Sequence, residues 1–139
     1  MHLLLAAFVF YLAFLAATLA YALWKGGKDE RTGAVTIMLA ALSSQVASEA
    51  GLGGGGYQIG VMAIDAATFI AFVALAYRSK KFWPIWAAAS QLVAVLTHWA
   101  LVLDPSLLRT IYTTAQPFWA FPVIAALALG TRAHQRSLR

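Results

Sequence analysis

The stretch "YQIGVMAIDAATFIAFVALAY" (residues 57–77) decides how this chain is read. A helix rises 1.5 Å per residue, so ~20 apolar residues match a hydrocarbon core of ~30 Å. This run is that long, and its one charged group is Asp65. An acid at the centre of a spanning helix costs about 2.5–3.5 kcal/mol even on insertion scales. Asp65 is therefore expected to face polar groups or water rather than acyl chains.

The rest of the chain has the same character. Hydrophobic residues make up 62% of the 139 positions and charged residues only 11%, against about half and about a quarter in soluble domains. An all-α integral membrane bundle, in one domain, is the expected fold class. There are no cysteines, which excludes disulfides, Cys-ligated zinc, iron–sulfur clusters and thiol catalysis. The net charge of +5 is read as loop charge that orients the chain, not as a nucleic-acid footprint.

Four more apolar runs cover residues 2–24, 32–49, 82–103 and 110–131, giving five expected transmembrane helices. The second is the least apolar, with Ser43, Ser44, Gln45, Ser48 and Glu49. Charge placement argues that it crosses. With five crossings, Lys25, Lys28, Arg31, Arg78, Lys80, Lys81, Arg132, Arg136 and Arg139 share one side, and the other receives only Arg109. That bias predicts the N-terminus outside and the C-terminus cytoplasmic, in a multi-pass protein of the plasma (inner) membrane. A cleavable signal peptide is the competing reading of residues 1–24. No Lys or Arg precedes that run, and its length suits a span.

Local signals mark the boundaries. Trp24, Tyr77, Phe82 and Trp83 fall where amphipathic rings prefer the interface. Pro84 falls in the first turn of the fourth helix, Pro117 and Pro122 are expected to kink the fifth, and Asp104-Pro105 turns the chain. "GLGGGG" (residues 51–56) reads as an external loop. No Lys-Ser/Thr follows it, so a phosphate-cradling loop is not indicated.

The polar residues of the spans gather in the outer half. From the helical rise, Asp65 lies roughly 12 Å below the outer face, His98 about 8 Å and Gln116 about 9 Å. Gln45 and Glu49 end the second span on that side, and Tyr112 joins them. These six are the candidate ligand or ion pathway. Gln91, near the midplane on the His98 stripe, is assigned to packing, as are most buried amides in bundles.

No nucleophile–base set, metal-ligand set or cofactor motif is visible, and the loops are too short to build a soluble active site. The first functional expectation is thus a non-catalytic subunit of a membrane complex, or a small homo-oligomeric bundle, with lipid as its surroundings. The second is proton- or cation-linked transport through Asp65 and His98, since an acid and an imidazole can exchange protons. A third is binding of a quinone or other lipid-soluble ligand. Haem held by His2 and His98 is disfavoured, because His2 stands at the chain end.

Overall fold

A computed structural model describes the backbone of residues 2–49, 55–103 and 105–139, with side chains for 5–47, 49, 59–100, 103 and 118–139. The described residues form five α-helices and no strand: α1 (His2–Lys25), α2 (Lys28–Glu49), α3 (Gly55–Arg78), α4 (Trp83–Leu103) and α5 (Pro105–Ser137). Each helix packs on the next, and α1 also packs on α5, which closes a ring; α2 touches α5 across it. The glycine loop expected at residues 51–56 falls mostly outside the described residues.

Two helices differ from the expected boundaries, for identifiable reasons. The second begins at Lys28 rather than near residue 32. Its start is fixed by Glu30, whose Oε2 accepts the Gly27 N–H at 3.0 Å, the glutamate half of a capping box. Asp29 and Glu30 also complement the positive end of the helix dipole. The fifth helix takes in residues 105–109 and 132–137, expected as loop and tail, and runs unbroken through Pro117 and Pro122. Pro105 opens it, where a missing N–H costs nothing. At its other end the Gln135 amide donates to the Lys25 carbonyl, holding the last turns of α5 against the end of α1.

Among the described residues, the stretches Leu5–Lys25 of α1 and Ile59–Arg78 of α3 are long and apolar enough to cross a membrane. Only 11% and 22% of them, respectively, is buried within the bundle, whereas an apolar core helix of a soluble protein would be mostly covered. Leu5, Phe8, Phe10, Ile70 and Val73 are all exposed. A surface this apolar needs a non-aqueous partner, which points to membrane association.

Among the described side chains, the buried core is concentrated at one end. Ala22, Ala34, Phe72, Leu75, Trp83, Ala87 and Leu127 draw on all five helices. All lie within a few turns of the α1–α2 and α3–α4 links. The contact of Lys81 with Glu30 and that of Gln135 with Lys25 gather both links and the α5 tail at that end. Nine of the ten basic residues therefore belong to segments that meet in space.

Trp83 corrects the expectation that it sits at a lipid boundary. It is buried, between Gly33 of α2 and Gly130 of α5. A Cβ on Gly33 would come 2.4 Å from the ring, and one on Gly130 2.3 Å. Only glycine lets both helices approach the indole so closely. Trp24, Tyr77 and Phe82 are exposed, as interfacial rings would be.

Candidate functional site

Among the described residues two polar clusters stand in the bundle, one of which lies on the polar stripes that helical periodicity marks on α3 and α4. On α4, Gln91 and His98 are seven residues apart, two turns along one face, and both are buried. On α3, Asp65 lies on the stripe that continues through the buried Thr68 and Phe72. Packing α3 on α4 brings these stripes together.

The result is a carboxylate clasped from both sides. His98 Nε2 is 2.7 Å from Asp65 Oδ2, and the Gln91 amide donates to Asp65 Oδ1 at 2.9 Å. The His98 side chain is only 6% exposed and that of Asp65 22%. Hydrogen bonds to a charged group contribute about 1.5–3 kcal/mol each. Two of them offset the insertion cost of one acid, ~2.5–3.5 kcal/mol. The pair has three arrangements: a neutral imidazole donating to the carboxylate, an imidazolium–carboxylate ion pair, or a protonated acid donating to the ring. The last two interconvert by moving one proton along this short contact, whereas the first holds one proton fewer and reaches them by taking up a proton.

The sequence-based candidates divide accordingly. Asp65 and His98 meet. Gln91, read as packing, is the second donor to the acid; the signal was its seven-residue spacing from His98. Gln45 and Glu49 lie on the exposed surface of α2. The side chains of Tyr112 and Gln116 fall outside the described residues. Among those residues no group of three or more His, Asp or Glu side chains is placed to hold a metal ion.

The second cluster, at the basic end, was missed. Glu30 has no exposed surface. Its carboxylate accepts from Lys81 Nζ at 2.7 and 2.9 Å, from Trp83 Nε1 at 2.9 Å and from the Gly27 N–H at 3.0 Å. Beside it, the Ser79 hydroxyl donates to Asp29 Oδ2 at 2.9 Å and accepts from the Lys81 backbone N–H at 3.1 Å. Every partner lies in a link or at the start of a helix, so this cluster reads as the clamp that sets the helices in register.

No family model matches this chain, and neither curated proteins nor solved structures yield a match. The reading of the site rests on its own geometry.

Proposed function

We propose that this chain is a five-span protein of the plasma (inner) membrane, N-terminus outside and C-terminus cytoplasmic. In it, Asp65 and His98 form a proton-exchanging site that couples to movement of a proton or small cation. The observation that carries this reading is the 2.7 Å contact between a buried imidazole and a partly buried acid. Intramembrane acids are scarce because they are expensive, and a carboxylate needed only for packing gains nothing over an uncharged amide. The imidazole adds the one side chain whose ordinary titration range brackets neutral pH.

The membrane reading draws on the two apolar helices, on the exposed aliphatic surface and on the segregation of basic residues at one end. In this reading α2, α4 and α5 supply the other crossings, which their lengths of 22, 21 and 33 residues allow at 1.5 Å per residue across ~30 Å. The competing reading, a complex subunit or oligomer in which the cluster only fastens α3 to α4, is favoured by the full hydrogen bonding of Asp65.

Flux separates the two. Full-length protein in liposomes carrying an internal pH dye should acidify the lumen under an imposed potential. Asp65→Asn and His98→Ala should each cut that flux by about tenfold or more, a loss of ~1.4 kcal/mol or more in the path. Thr97→Val, on the same helix but outside the contact, should leave it unchanged. Parent protein with no flux above empty liposomes, or equal flux from all variants, rules out the transport reading.

A further inference from the structure

A groove of about 580 Å³ runs between α4 and α5 at the basic end, well within the ~300–1,000 Å³ of small-ligand sites. Its two ends differ in chemistry. Trp86, Leu129 and Ala133 line an apolar body, while Lys81, His134 and Ser137 line the end that opens among the charged links. Trp86 and Leu129 are exposed along it, and small side chains on α5 leave the hollow.

The polar end favours an anion. Nine basic side chains and only Asp29 and Glu30 as acids belong to the segments gathered there. Lys81 is the basic residue on the groove wall. Its ammonium group gives Glu30 two contacts and lies 3.7 Å from Asp29 Oδ2, and about a third of the side chain remains exposed. His134 stands beside it, over Gly27, where an added Cβ would come 2.9 Å from the ring.

We propose that this groove binds one anionic phospholipid, with its phosphate at Lys81 and His134 and one acyl chain laid between α4 and α5. Basic pockets between helices on the cytoplasmic side suit anionic headgroups, and exposed Trp86 and Phe82 supply the amphipathic rings that border a headgroup layer. The inference rests on the membrane part of the reading above and is independent of the Asp65–His98 site.

The test titrates detergent-purified full-length protein with phosphatidylglycerol, with phosphatidylcholine of the same chains and with glycerol 3-phosphate, following retention by native mass spectrometry. One phosphatidylglycerol should be retained with roughly tenfold preference over phosphatidylcholine, and glycerol 3-phosphate should bind far more weakly. Ala133→Glu places a carboxylate at an exposed position on the wall, and Ala125→Phe fills the body; each should abolish the preference. Lys28→Gln, an equal charge change at the same end, should leave it, and so should Asp65→Asn. Helix content and monodispersity check each variant, and Ala133→Glu decides alone if Ala125→Phe does not fold. Equal retention of the two lipids overturns the proposal. So does glycerol 3-phosphate binding as tightly as lipid, or a loss with Lys28→Gln as large as with Ala133→Glu.

Discussion

Trp83 Nε1 donates to Glu30 Oε1 at 2.9 Å across 53 positions of sequence, inside a clamp where Glu30 has no exposed surface. This contact ties the start of α2 to the start of α4. Lys81 neutralises the acid at 2.7 Å from the link just before α4. A buried charge is tolerable only when paired and hydrogen-bonded, and this one has three separate donors.

Removing the acid should therefore loosen the bundle. Breaking a buried ion pair costs about 3–5 kcal/mol. Lys81 is a third exposed and can turn to solvent, so Glu30→Gln should lose about 2–3 kcal/mol, at or below the lower end of that range. Glu30→Ala, which also uncaps α2, should lose more. Denaturant or thermal unfolding in detergent reads both, and an unchanged midpoint would mean that the clamp is ornamental.

The indole sets a steric condition as well. Gly130→Ala places a Cβ 2.3 Å from the Trp83 ring, and overpacking of this kind costs about 1–3 kcal/mol. Trp83→Leu removes the obstruction. The double variant should then be more stable than the sum of the single losses predicts, by at least ~0.5 kcal/mol of coupling. Strict additivity would show that the two residues do not press on each other.

What could be read from the sequence follows from which interactions are local. Helix periodicity places Asp65 and His98 each on a stripe of its own helix, because a stripe lies within one helix; that the two stripes face each other is a matter of packing. Glu30 is not legible as a site residue, since its partners Lys81 and Trp83 are brought to it by helix packing. A glutamate three residues after Gly27 was the available hint, as half of a capping box. Trp83 is expected at a lipid boundary because it stands at the start of the fourth apolar run, whereas Gly33 and Gly130, far away in sequence, make room for it inside. The fifth helix was expected to end near residue 131 because arginines follow; in the fold those turns continue, fastened to α1 by Gln135.

Topology can be tested directly because the chain has no cysteine. Single substitutions Lys28→Cys, Ser79→Cys and Ser137→Cys should react with an impermeant thiol reagent only after the membrane is opened. Glu49→Cys and Leu103→Cys should react from outside in sealed cells. The reverse pattern would invert the orientation, and mixed accessibility of 28 and 79 would show that α2 or α3 fails to cross.

Gln91 offers a finer test, since its amide meets Asp65 at 2.9 Å. Gln91→Leu keeps the bulk and removes the donor. It should reduce transport less than Asp65→Asn does, because the carboxylate and its contact with His98 are kept. A Gln91→Leu variant indistinguishable from the parent would return this residue to packing.

The proton on the Asp65–His98 contact can be followed by nitrogen NMR of histidine-labelled protein in bilayers, with His98 assigned by its loss in His98→Ala. The account predicts a His98 ring-nitrogen signal displaced by a short hydrogen bond to a carboxylate, and the loss of that displacement in Asp65→Asn. A His98 signal that Asp65→Asn leaves unchanged would contradict it.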